Sequence, residues 1–215
     1  METTEIDFKY YYQSLGFLSS IAFAIQYLPQ MKLNYQRKST QGFSSSGIII
    51  KLIGASFLLV NSWLTGETLP IFFYGLINVV QHSTFMYQFS IYDKNTKYLL
   101  WILFPFLPLL MGRLYPKSMY TTNSIKPITQ VLSHLPQLIV SYKSKSTQGV
   151  SLQSQYLNFF GGVVGVLMLI GIPPVSIMTY FIYINSIAQS VSIFLMYFYY
   201  DLRKRNKTIT RDSVI

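Results

Sequence analysis

The chain has 215 residues, half of them apolar and 17% aromatic, with 11% charged, no cysteine and a formal net charge of +10. A soluble domain carries about 25% charged residues, so lipid is the expected solvent, and the lack of cysteine excludes disulfides and thiolate metal sites. The basic residues fall mainly between apolar segments, which points to membrane topology rather than to nucleic acid.

The first ten residues, METTEIDFKY, hold three acids and one lysine. A cleavable signal starts basic, so the first apolar segment is expected to stay as a helix. A bilayer core takes about 20 mostly apolar residues per helix. Seven segments fit: 13–32, 46–64, 69–90, 97–114, 120–142, 153–171 and 174–198. The first and fifth are the least apolar, and TGETLP and GIPP read as tight turns. All the acids, Glu2, Glu5, Asp7, Glu67, Asp93, Asp201 and Asp212, are expected in tails or loops. With the N-terminus lumenal, the cytosolic loops hold Lys32, Arg37, Lys38, Lys94, Lys97, Lys143 and Lys145. The tail adds Arg203, Lys204, Arg205, Lys207 and Arg211. The opposite side holds Lys9, Arg113, Lys117 and Lys126, so the basic excess predicts a lumenal N-terminus and a cytosolic C-terminus.

The chain repeats itself at a spacing of 107 residues. LPQMKLNYQRKSTQGFS at 28–44 returns as LPQLIVSYKSKSTQGVS at 135–151. Without a gap, Gly54 falls on Gly161, Lys51 on Asn158, Asn78 on Asn185 and Ser83 on Ser190. The repeat therefore covers helices one to three (13–90) and five to seven (120–198). Helix four (97–114) is the linker and 199–215 a basic tail. An odd unit followed by one inverting helix gives parallel repeats about an axis along the membrane normal. The expected fold is thus all-α, with seven transmembrane helices in a 3+1+3 arrangement of two three-helix bundles.

Pro29-Gln30 and Pro136-Gln137, each followed by Lys-Ser-Thr-Gln-Gly and a serine, resemble the PQ-loop repeat family. That family includes cystinosin-type and lysosomal cationic amino acid exporters, and it shares its fold with the sugar-transporting SWEET proteins. The resemblance implies a transporter working by alternating access. Proline removes a backbone donor and frees an upstream carbonyl, so Pro29, Gln30, Pro136 and Gln137 are expected at gating hinges. Gly42 and Gly149 read as turn glycines, and Ser44 and Ser151 as N-caps of the following helices.

Polar residues within spans usually face a bundle interior or a cavity. Asn158 precedes Phe-Phe-Gly-Gly in helix six and Asn185 lies in helix seven. Cystinosin-type members carry aspartates at the matching places. Asparagine bonds a solute but takes up no proton, so carboxylate-based proton coupling is not expected. Asn158, Asn185, Asn78 and Lys51 are the substrate-binding candidates. Lys51 either snorkels to the cytosolic face or meets an anionic group inside, and snorkelling is the shorter route. His82 and His134 are candidate proton carriers because histidine titrates near neutrality, with helix packing as the plainer reading. Tyrosines at span ends mark the interface.

No glycine-rich phosphate loop, paired carboxylates or clustered metal ligands occur, so neither an enzyme nor a cofactor or metal is expected. The expected partners are a small-molecule solute and the lipid bilayer, without nucleic acid; a homo-oligomer is compatible. The leading expectation is a carrier of a small polar, amino-acid-like solute in a lysosomal, endosomal or other endomembrane. The alternative is a membrane factor for lipid or dolichol-linked sugar handling, in which Lys51 attracts phosphate. Tyr199-Tyr-Asp-Leu202 fits a tyrosine sorting pattern. Asn206-Lys-Thr208 is a formal glycosylation sequon, expected to stay unmodified in the cytosol.

Overall fold

The computed structural model describes residues 2–67, 69–172 and 177–203, and every regular element among them is helical. Helices α1 (Glu2–Ile25) and α2 (Leu28–Arg37) cover the first predicted span; α3 (Ser45–Thr65) and α4 (Leu69–Tyr92) cover the next two. The fourth span is α5 (Lys97–Leu100), a 3-10 turn at Trp101–Leu103 and α6 (Phe106–Leu114). The fifth is divided into α7 (Met119–Thr122), α8 (Ile125–Leu132) and α9 (His134–Ser144). Helix α10 (Leu152–Gly171) and helix α11 (Ile177–Tyr197) follow, and α11 ends in a π-helical turn at Phe198–Leu202. Four segments among the described residues are long and apolar enough to cross a membrane: Ser45–Thr65, Lys97–Leu114, Leu152–Gly171 and Tyr180–Leu202. Thr68, the residues of the GIPP turn beyond Ile172, and the tail from Lys204 with its sequon lie outside the described residues.

The prolines explain where the two least apolar spans break. A proline in a helix cannot donate to the carbonyl four residues upstream, and its ring clashes with that carbonyl. Helix α1 stops at Ile25, four residues before Pro29, and α8 stops at Leu132, four before Pro136. A third break, at Asn123-Ser124, lies three to four residues before Pro127. The acids Glu2, Glu5 and Asp7, expected in a tail, belong to the first turns of α1.

The chain forms two compact units: Met1–Gln30 with Leu138–Ile215, and Met31–Gln137. Both boundaries fall directly after a Pro-Gln pair. In the first unit α1 packs on α10, and α10 on α11. Ser19 Oγ donates to the Gly161 carbonyl at 2.7 Å, and Phe23 stacks on Tyr183 with centroids 5.9 Å apart. In the second unit α3 packs on α4 and α8. Small residues let these backbones close together. A Cβ on Gly47 would lie 2.8 Å from the Ser133 carbonyl, and one on Gly75 would lie 2.9 Å from the Leu59 Cα. The grouping by contact therefore crosses the grouping by sequence repeat: the first helix of each repeat packs on the second helix of the other.

The segment after Pro29-Gln30 is held in the second unit by its own bonds. Asn34 Nδ2 donates to Gln88 Oε1 at 2.9 Å, and Gln88 Nε2 donates to the Met31 carbonyl at 3.0 Å. Asn34 is fully buried. A buried side-chain pair of this kind is expensive to separate, which fixes α2 to α4 beyond the break.

Candidate functional site

Each Pro-Gln glutamine grips the KSTQG loop of the other repeat. Gln30 Nε2 donates to the Gly149 carbonyl at 2.9 Å, and Gln30 Oε1 accepts from the Ser151 N–H at 2.6 Å. Gln137 Nε2 donates to the Gly42 carbonyl at 3.0 Å, and Gln137 Oε1 accepts from the Ser44 N–H at 2.8 Å. Each clasp lies within one unit. Both glutamines are buried. A carboxamide carries a donor and an acceptor side by side, and it pairs here with a carbonyl and an N–H two residues apart, as a neighbouring strand would.

The loops themselves are built alike at their helix ends and caps and differ at the glycine, where Gly42 but not Gly149 takes a positive φ. Lys38 and Lys145 both adopt φ of 49°, the left-handed conformation that ends a helix. The N–H of Ser39 bonds the Asn34 carbonyl and that of Ser146 the Ser141 carbonyl, each at 3.3 Å. Gly42 turns at φ 84°. Ser44 Oγ then accepts from Gly47 N and Ser151 Oγ from Ser154 N, so both serines cap the helices that follow, as their sequence position indicates. The capping serine thus gives its own N–H to the clasp and its hydroxyl oxygen to the helix.

A third element of the loops was not legible in the sequence. Thr40 Oγ1 donates to Asp93. Asp201 accepts from Thr147 N at 2.8 Å, Thr147 Oγ1 at 2.7 Å and Ser146 Oγ at 3.0 Å. The two aspartates are 108 residues apart, one more than the repeat. The π turn at Phe198–Leu202 inserts the extra residue and restores the register. Asp201 was expected in the tail; it instead closes the span Tyr180–Leu202 and is engaged by the loop. The Tyr199–Leu202 run is accordingly helical rather than an extended sorting signal. Charge-assisted bonds are worth about 1.5–3 kcal/mol each. With three donors on Asp201 against one on the exposed Asp93, Asp201→Ala is expected to destabilise by about 2–4 kcal/mol. Asp93→Ala should cost below about 1 kcal/mol, by thermal unfolding in detergent.

The substrate candidates divide between the units: Asn158 and Asn185 in the first, Asn78 and Lys51 in the second. Asn158 is buried, and its Nδ2 lies 3.0 Å from the Ser186 carbonyl, 3.2 Å from Gln189 Oε1 and 2.9 Å from Ser190 Oγ, which ties α10 to α11. Asn185 is half-buried on α11. Asn78 is buried and donates to the Tyr74 carbonyl at 2.7 Å. Lys51 does not snorkel: it is 8% exposed, within α3. It lies four residues after Gly47 and three before Gly54, on the face that meets α8 at Ser133 and Thr129. His82 and His134 are also buried in this unit. His82 Nδ1 donates to the Asn78 carbonyl at 2.5 Å, whereas both ring nitrogens of His134 lack a hydrogen bond among the described residues.

Helices long enough to span a bilayer, a doubled proline break and polar groups buried at helix depth define a multi-pass helical membrane protein. Its two regions at 11–71 and 119–173 match the PQ loop repeat, and together they cover just over half of the chain; it belongs to the PQ loop repeat family. Among curated proteins it is similar to cystinosin of Bos taurus, 22% identical over 186 residues, which covers 70% of this chain and 50% of that relative. The chain thus spans about half the length of the relative it matches.

Proposed function

We propose that the protein is a carrier that moves a small polar, amino-acid-like solute across an endolysosomal or related endomembrane by alternating access. The observation that carries this reading is the duplicated break and clasp. Both helices stop four residues before a Pro-Gln pair, and both glutamines hold the opposite repeat's loop. Two matched hinges at equivalent points of a 3+1+3 repeat suit a molecule that rocks between two similar states. Family membership and the similarity to cystinosin support the same reading, as does the basic excess that would place the N-terminus in the lumen.

In this proposal the substrate-binding candidates are Asn158 and Asn185 of the first unit and Asn78 and Lys51 of the second. Lys51 is buried in α3, and an ionisable residue within a span is a functional-site candidate. By the resemblance to cystinosin-type members, Asn158 and Asn185 stand where those carry aspartates, so this reading has no carboxylate there to relay a proton. His134, buried and with open ring nitrogens, takes that role in preference to His82, whose Nδ1 is tied to its own helix.

The test is uptake by proteoliposomes of labelled cystine, lysine, arginine, glutamine and glucose, with fluorescent-lipid scrambling measured in parallel. Saturable uptake of an amino acid, reduced at least about tenfold by Lys51→Met or Asn185→Ala in protein that still unfolds at its normal temperature, is expected. Scrambling without uptake of any solute would instead favour the lipid-handling alternative.

A further inference from the structure

The second unit carries basic groups at places where the first carries none. At the spacing of 107 residues Lys51 falls on Asn158, His82 on Gln189, Lys126 on Ser19 and His134 on Tyr27. The structure keeps these positions equivalent. Ser19 donates to the Gly161 carbonyl in the first unit. In the second, the Lys126 stem lies 3.4 Å from a Cβ placed on Gly54, the counterpart of Gly161. The first unit completes its interior with neutral hydrogen bonds, such as those of Asn158 to the Ser186 carbonyl and Ser190 Oγ. One three-helix interior thus forms without charge, so the architecture does not require the two lysines and two histidines of the other.

Those four groups share one interior. Lys51 on α3 is 8% exposed, and His82 on α4 and His134 on α9 are buried. Lys126 on α8 is half-buried, with its stem at Gly54, three residues from Lys51, and its ammonium 5.6 Å from the centroid of the Tyr74 ring on α4. The two lysines are near enough for their charges to act on each other, and both act on the two imidazoles. Both ring nitrogens of His134 lack a hydrogen bond among the described residues. The carboxylates of this unit, Glu67 and Asp93, are exposed, and Asp93 is engaged by Thr40. Like charges repel strongly in a low-dielectric interior, and both carboxylates lie outside it. Lys126 also lines a cavity of about 200 Å³ with Asn61, Thr122 and Asn123. Glu67 lies on the same wall, exposed to screening by water. The cavity is below the range of about 300–1,000 Å³ typical of drug-sized ligands, so a ligand that reaches the lysines through it is compact.

We infer that the Met31–Gln137 unit binds a compact dianionic oxyanion of the phosphate class, with Lys51 and Lys126 as its counter-charges and a His134 ring nitrogen as a hydrogen-bond partner. Lysine meets phosphate as a point charge. Two negative charges on one tetrahedral group offset two ammonium groups, whereas a single carboxylate offsets one. Free phosphate and the phosphomonoester headgroup of a lipid present the same chemistry. The inference goes beyond the carrier reading, which names a different solute, and it does not depend on transport.

The experiment is equilibrium binding of labelled inorganic phosphate to the purified full chain in phosphatidylcholine vesicles, with sulfate and acetate as competitors. A second arm compares melting temperatures in phosphatidylcholine with those in phosphatidylcholine containing phosphatidic acid. Lys51→Asn and Lys126→Ser are the test variants, since each installs the residue that the first unit carries at the equivalent position. Saturable phosphate binding is expected, displaced by sulfate but not by acetate and weakened at least about tenfold in each variant. Without phosphate both variants should melt no lower than wild type, because a buried like charge has been removed; melting well below it would make the lysines structural and overturn the inference. Phosphatidic acid that raises the melting temperature of wild type but of neither variant, without binding of free phosphate, would assign the oxyanion to a lipid headgroup. Binding of neither source, or phosphate binding that persists in both variants, would overturn the site. Acetate competing as well as sulfate would overturn the dianion assignment.

Discussion

Replacing Gln30 or Gln137 with leucine is expected to destabilise the protein by roughly 2–4 kcal/mol, because each change orphans a loop N–H and a loop carbonyl together. Leucine is close to glutamine in volume, so the loss is one of hydrogen bonding rather than of packing. Gln30→Glu separates the two halves of the clasp. Its carboxylate still accepts from Ser151 N–H but turns an oxygen toward the Gly149 carbonyl, which accepts only. Protonation restores a donor, so the folded state favours the protonated form. Stability of Gln30→Glu relative to wild type is therefore expected to be greater under acidic conditions, where the side chain carries its proton, than at neutral pH. Thermal or denaturant unfolding in detergent reads all three variants, with the exposed Gln41→Ala as the control expected within about 0.5 kcal/mol of wild type. A Gln30→Leu protein as stable as that control would remove the clasp from the account.

The second large effect is steric. At Gly75 the backbone of α4 meets that of α3 so closely that even an alanine Cβ would lie 2.9 Å from the Leu59 Cα and 3.0 Å from its nitrogen. Neither atom can rotate away, so the helices themselves must part. Overpacking of this kind costs about 1–3 kcal/mol. Gly75→Leu is expected at or above the upper end, with Gly75→Ala near the lower. Gly66 is a useful contrast. It sits in the left-handed conformation at φ 68° with nothing within 4 Å of a Cβ, so Gly66→Asn is expected to be nearly neutral and Gly66→Val strained. Equal losses at Gly75→Ala and Gly66→Asn would show that α3 and α4 are less tightly packed than described.

Much of the architecture was readable because it is local. The apolar runs mark α3, α4, α10 and α11 to within a few residues, and the serines after each KSTQG cap the helices they precede. The breaks at Ile25 and Leu132 follow from proline chemistry alone. What escaped is what depends on distant pairing. The sequence shows two copies of one motif but not that Gln30 reaches the loop at 149–151 and Gln137 the loop at 42–44. Asp201 was hidden by the extra residue of the π turn, which breaks the 107-residue register just where its counterpart Asp93 would have revealed it. Lys51 looked close enough to a helix start to reach water, yet the face it shares with Gly47 and Gly54 is the one that packs against α8. Lys126 was counted among the lumenal basic residues although it lies within the predicted span 120–142, and the structure places it in α8.

The claim at the centre of this account is alternating access, and counterflow tests it most directly. Proteoliposomes are preloaded with an unlabelled amino acid that the protein takes up, and entry of trace labelled amino acid is followed from outside. The account predicts that preloading accelerates labelled entry and that the acceleration saturates with internal concentration, because one site is exposed to each side in turn. Entry that is linear in concentration and indifferent to the internal solute would describe an open pathway, and would contradict it.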